Sequence, residues 1–126
     1  MGRDLKPTPM RFEDTSERLL VNSLEAWIKS NLSKNIRLQI AASNFNMNED
    51  DLSQLVMTVH GFSYSEMLRL LRLEEATKLL RETDIPISSI AGVVGYSATS
   101  SLLLLVRQYE RMSPMQYRNK HKKKLR

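Results

Sequence analysis

Six bases and no acid fall in the last nine residues of this chain: Arg118, Lys120, Lys122, Lys123, Lys124 and Arg126. The net charge of the 126 residues is +5, so the rest of the chain is close to neutral. A cation block this dense fits phosphate, on nucleic acid or on an anionic membrane surface, and fits equally a solvated tail. Acid gathers at Glu49, Asp50 and Asp51. Neighbouring carboxylates hold a hard cation when a loop with suitably spaced glycine turns them onto one point. Here they begin a helical pattern, where adjacent side chains diverge and the positive end of the dipole favours them. His60 and His121 are the two imidazoles, and neither stands at a triad-like spacing from a serine and a carboxylate. His60 precedes Gly61 at a helix end, a place that structure alone explains. The absence of cysteine removes thiolate metal sites, disulfides and a thiol nucleophile. The expectation is a protein without catalysis, metal or cofactor, in which the basic block serves either to bind phosphate or to keep a solvated tail in water.

The elements that position these groups read as helices. Four Gly and four Pro are too few for the many tight turns of an all-β chain, and aromatics make up only 6% against 41% hydrophobic residues in all. No apolar run approaches the roughly 18 residues of a membrane span. The first residues offer no apolar segment for a secretory signal, so a soluble cytoplasmic protein is expected. Residues 1–15, with Pro7 and Pro9, lack periodicity and read as a flexible arm. From Ser16, the residues Leu19, Leu20, Leu24, Trp27, Ile28 and Leu32 recur three or four apart, the buried face of a helix ending near Ser33 or Asn35. A short helix follows over 38–44. Asn48 then caps a helix whose inner face is Leu52, Leu55, Val56 and Val59 and which ends at Gly61.

Ser63, with Glu66 three residues on, opens a long helix to Glu82 through a capping box. Its wide apolar surface suits packing on two sides. Residues 88–94 form a short helix stopping at Gly95, Ser97 caps a helix over 98–109, and Ser113-Pro114 opens a last one. The chain repeats itself. Ala42, Asn46 and Asn48 return 49 residues later as Ala91, Gly95 and Ser97, and Ser63 and Met67 return 50 residues later as Ser113 and Tyr117. A short helix, a three-residue turn and a longer helix make a helix-turn-helix. The expected fold is all-α, with about seven helices in two helix-turn-helix lobes. The lobes are residues 16–62 and 83–118, joined by a central connecting helix over 63–82 and followed by a basic tail over 119–126.

Ile90-Ala91, Gly95-Tyr96-Ser97, Ser113-Pro114 and Tyr117-Arg118, with Arg72-Leu73-Glu74-Glu75-Ala76 and Leu79-Leu80 on the connecting helix, resemble the DNA-binding domain of the AraC/XylS family of bacterial regulators. The likeness runs from about Leu19 to Arg118 and is nearest to the short single-domain members of the MarA/SoxS group. It implies a double-stranded-DNA-binding transcription regulator, associated with the nucleoid, that places two recognition helices in successive major grooves. Candidates for base edges are Asn48, Asp50, Ser53 and Gln54 in the first copy, and Thr99, Ser100, Ser101, Leu103 and Leu104 in the second. Phosphate candidates are Ser97, Arg107, Arg118, Lys120, Lys122, Lys123 and Lys124.

Several positions depart from the family pattern. Acid opens the first recognition helix, where it repels phosphate and answers only a cytosine amine. Leu103 and Leu104 replace a small polar residue and, commonly, an arginine. Val106 stands where an aromatic core residue is usual, and Asn46 and Arg111 where glycine is usual. In the run Leu102-Leu103-Leu104-Leu105, rotation of 100° per residue sends Leu102 and Leu105 inward and Leu103 and Leu104 outward. Ordinary core with some exposed apolar surface, contact with RNA polymerase or another regulator, and contact with a thymine methyl all remain open for the outward pair. The alternative function is a protein-binding antagonist or co-regulator that has lost base readout. A basic ring around the recognition helices would favour DNA, and its absence the antagonist.

Overall fold

The computed structural model describes the backbone of residues 7–122 and the side chains of residues 16–122. Seven helices, and no strand among the described residues, confirm the all-α expectation. They are α1 (Pro7–Lys29), α2 (Leu38–Asn44), α3 (Glu49–His60), α4 (Tyr64–Glu82), α5 (Ile87–Val93), α6 (Thr99–Glu110) and α7 (Pro114–His121). Contacts divide the chain into two units, one of Met1–Ser30 with Ile36–Met67 and one of Asn31–Asn35 with Leu68–Arg126. The division falls inside α4.

The first unit differs from expectation at its start. Its first helix begins at Pro7 rather than Ser16, so the arm expected over 1–15 is helical from Pro7 on, and residues 1–6 lie outside the described residues. Proline is compatible with the first turn, where backbone N–H groups have no helical acceptor. The inner face of α1 is Val21, Leu24 and Ile28, whereas Leu19 and Leu20 are 60% and 38% exposed. Periodicity admitted either phase because leucine occurs on both sides of the stripe. The helix stops at Lys29, short of the expected Ser33 or Asn35. Ile36, Ala41, Ala42, Leu52, Val56, Tyr64 and Met67 complete this core, and the Tyr64 hydroxyl donates to the Ile36 carbonyl at 2.7 Å. His60 reaches the Glu25 carboxylate at 2.8 Å and stacks on Phe62, ring centroids 4.9 Å apart, which ties the end of α3 to α1.

In the second unit, Leu73, Ala76 and Leu80 of α4 pack with Ile90, Ala91, Val94, Leu102, Leu105, Val106 and Tyr117. Val106 is fully buried, so the smaller side chain still fills a core position. Ser113 accepts from the Gln116 amide and Gln116 accepts from the Ser113 amide, a complete capping box with Pro114 at the first helical position. Ser97 does not cap α6. The N-cap residue is Ala98, in extended backbone and without a side-chain hydrogen bond, one residue later than expected.

The repeat extends to individual hydrogen bonds. In the first turn the Met47 amide donates to the Ala42 carbonyl at 2.9 Å, and in the second the Tyr96 amide donates to the Ala91 carbonyl at 2.8 Å. Asn46 (φ 57°) and Gly95 (φ 100°) supply the left-handed residue. The same pattern closes the longer helices: Gly61 donates to Met57 and Arg111 to Arg107, each from left-handed backbone.

Candidate nucleic-acid interface

Each unit presents the second helix of its helix-turn-helix to solvent, with different chemistry. In α3, the Asn48 side chain accepts from the Asp51 amide at 2.7 Å, which fixes Asn48 as a cap. Glu49, Asp50 and Asp51 are all exposed in the first turn, followed by exposed Gln54, Met57 and Thr58 and half-buried Ser53. Among the described residues α3 carries no lysine or arginine.

In α6, Leu102, Leu105 and Val106 face the core, and Ser100, Leu103, Leu104, Arg107 and Gln108 face solvent. Spacings of three, four, seven and eight put these five side chains on one face. Thr99 and Ser101 are half-buried beside them, and Ser97 and Ala98 are exposed in the preceding turn. The one acid of α6, Glu110, is half-buried. Arg107 has no ion pair among the described residues. Gln108 was not among the expected contact residues, although its spacing of four from Leu104 carried the signal.

The turn ahead of α6 is built for close approach. The Arg72 guanidinium lies over the Tyr96 ring, 5.1 Å from its centroid. A Cβ added at Gly95 would meet the Leu32 carbonyl oxygen and stand 2.8 Å from an Arg72 guanidinium nitrogen. Both φ and space therefore demand glycine. Neither Arg72 nor Tyr96 was legible as a pair, because 24 residues of chain separate them.

The phosphate candidates are not equivalent. Arg118 is half-buried and donates through Nε to the Leu80 carbonyl at 3.2 Å. Lys122 forms an ion pair with Asp84 at 2.7 Å and donates to the Thr83 carbonyl at 3.4 Å. Both cations sit at the C-terminal end of α4, where helix carbonyls lack intrahelical donors. The Lys122 hydrogen bond and then its charge hold the Asp84 carboxyl below the usual carboxylate range. Arg107, Lys120 and Ser97 are exposed, while Lys123, Lys124 and Arg126 lie outside the described residues. No group of carboxylates and imidazoles able to hold a metal occurs among the described residues, and none of the helices described is long and apolar enough to cross a membrane.

A helix-turn-helix domain family matches this chain over residues 41–120. The uncharacterized HTH-type transcriptional regulator YfiF of Bacillus subtilis (strain 168) is 35% identical over 78 residues, 62% of this chain and 25% of YfiF. The probable transcription factor PqrA of Proteus vulgaris is 26% identical over 101 residues, 79% of this chain and 83% of PqrA. Among solved structures, the C-terminal domain of AraT, a response regulator from Geobacillus stearothermophilus, is similar with a TM-score of 0.78 and 27% identity over 83% of this chain and 88% of that one. The chain spans only 25% to 30% of the length of two of the curated relatives that it matches. With the two turns hydrogen-bonded alike and the family match covering most of both, the chain belongs to the AraC/XylS family of helix-turn-helix DNA-binding transcription regulators.

Proposed function

We propose that this chain is the sequence-reading part of a transcription regulator on double-stranded DNA, and that its second helix-turn-helix carries most of the base readout. The observation that supports this is the outward face of α6. Ser100, Arg107 and Gln108 supply a hydroxyl, a guanidinium and an amide there, the groups that answer base edges and phosphates. In the first unit, Asn48 is occupied as a cap and the carboxylates of α3 repel the duplex, which leaves Ser53 and Gln54 as its polar contacts. Asp50 fits a cytosine amine and little else.

Lys120, Lys123 and Lys124 add sequence-independent attraction, whereas Arg118 and Lys122 serve mainly to hold α4. Each phosphate contact contributes about −0.9 to the slope of log K against log salt. Replacing Lys123 and Lys124 by alanine should therefore flatten that slope by about 2, and replacing Lys122 should change it less. The chain acts inside the cell at the nucleoid and performs no catalytic step in this reading. The protein-binding antagonist is favoured at one place, the exposed acid of α3, which suits a basic protein surface such as one on RNA polymerase or another regulator.

The test is selection from a random duplex library at near-physiological salt. The expected result is a motif with one strongly constrained half and one weakly constrained half. Enrichment of no motif would overturn sequence reading, and two equally constrained halves would overturn the division of labour between the units.

A further inference from the structure

Leu104 is 69% exposed and Leu103 41% exposed, in the middle of the face that the proposed function turns toward the base pairs. One turn toward the N-terminus stands Ser100, and one turn toward the C-terminus stand Arg107 and Gln108. The apolar spot is thus two side chains wide along the helix and bounded at both ends by polar groups. A stable protein contact needs a far larger continuous surface, on the order of 1,200–2,000 Å² in total. The flanking guanidinium, with no carboxylate exposed on α6, is instead suited to a polyanion.

Leucine offers neither donor nor acceptor. Set against a guanine, adenine or cytosine edge in the major groove, it would strip water from groups that it cannot answer. The thymine C5-methyl is the apolar group that the major groove presents. We infer that Leu103 and Leu104 are specificity-determining residues that read thymine methyls, with Leu104 making the main contact and Arg107 fixing the register beside it. This rests on the DNA-reading function proposed above, and it supplies what that reading lacks, the base preferred at the centre of the second half-site.

Deoxyuridine keeps every hydrogen-bonding group of thymine and removes only the methyl, so it isolates the contact. Each thymine of the motif selected by the full chain is replaced singly by deoxyuridine, and binding is measured by fluorescence anisotropy. The wild-type chain should lose about three- to fivefold in affinity at one or two positions of the strongly constrained half, the effect of one methyl group removed from an apolar contact. Leu104→Ala should bind the thymine and deoxyuridine duplexes alike at the affected position, with circular dichroism confirming that it is folded. A wild-type chain that binds its motif but is indifferent to every replacement overturns the methyl contact and leaves DNA reading intact. A thymine preference that persists unchanged in folded Leu104→Ala and in Leu103→Ala likewise overturns it. Enrichment of no motif in the selection removes the DNA reading itself, and this inference with it.

Discussion

The two helix-turn-helix units close their turns with the same hydrogen bonds, yet glycine stands at opposite ends of their second helices. The first unit has Asn46 in its turn and Gly61 at the end of α3, while the second has Gly95 in its turn and Arg111 at the end of α6. Neighbours explain the choice only in part. A Cβ at Gly61 would meet nothing within 4 Å, but at Gly95 it would strike the Leu32 carbonyl oxygen. One glycine answers backbone conformation alone, and the other also answers a close approach. The outward faces differ as sharply, with three carboxylates opening α3 and serine, leucine and arginine along α6. A repeated scaffold therefore leaves each copy free to change both its turn chemistry and its surface.

The comparison breaks most readily at the turns. Gly95→Ala combines left-handed backbone with a backbone clash and should destabilise by roughly 3 kcal/mol or more, whereas Asn46→Ala at the matching position should cost about 1 kcal/mol. Urea unfolding followed by circular dichroism measures both. Trp27, the sole tryptophan, lies in the first unit and adds a local probe. A fluorescence midpoint that moves with Gly95→Ala as far as the dichroism midpoint would show the units unfolding together.

The surfaces are compared next. Arg107→Ala should lower affinity for the selected motif by about tenfold, within the 1–3 kcal/mol of a good base contact. Asp50→Asn should leave affinity unchanged or raise it. Equal losses in anisotropy titrations of the two variants would show that α3 reads a cytosine amine and shares the work evenly.

Much of this architecture was legible in the chain. Asn48, Gly61, Ser113 and Pro114 mark helix ends through local chemistry, and the structure keeps each in that role. The run from Leu102 to Leu105 resolves into two inward and two outward leucines as rotation alone requires. Tertiary packing decided the rest. Periodicity assigns Leu19 and Leu20 to the core because a stripe of leucines has more than one acceptable phase, whereas Val21, Leu24 and Ile28 are the α1 side chains that are buried. Ser97 has the right residue type for a cap, but the helix begins one residue beyond its reach. Charge counting treated Arg118 and Lys122 like the rest of the tail, because the carbonyls and the carboxylate that engage them lie more than 35 residues away in sequence.

Helix ends sharpen the contrast on a smaller scale. Arg111→Gly should stabilise by up to about 1 kcal/mol and Gly61→Ala should destabilise by about the same amount, since both helices end in the left-handed region. Equal and opposite shifts of the urea midpoint would show that backbone conformation alone governs this position. The smallest effect expected is that of Asp84. Its carboxyl titrates below the usual range when folded, so its contribution is present at neutral pH and is lost as pH falls below about 4. Lys122→Ala should remove that acid dependence, measured as the change in melting temperature between neutral and acidic buffer. Retention of the full dependence would place its origin at other carboxylates.

Asn31–Asn35 follows α1 in sequence but belongs with the second unit, where the Leu32 carbonyl fills the space that Gly95 leaves open. The chain thus lends five residues from between its first two helices to a body whose own helices have yet to be synthesised. An expressed fragment beginning at Leu68 would hold α5, α6 and α7 intact and still lack a piece of its own turn. Dissecting the repeat into halves therefore requires a circular permutation or a peptide supplied in trans, and a simple cut would underestimate what the second half can do.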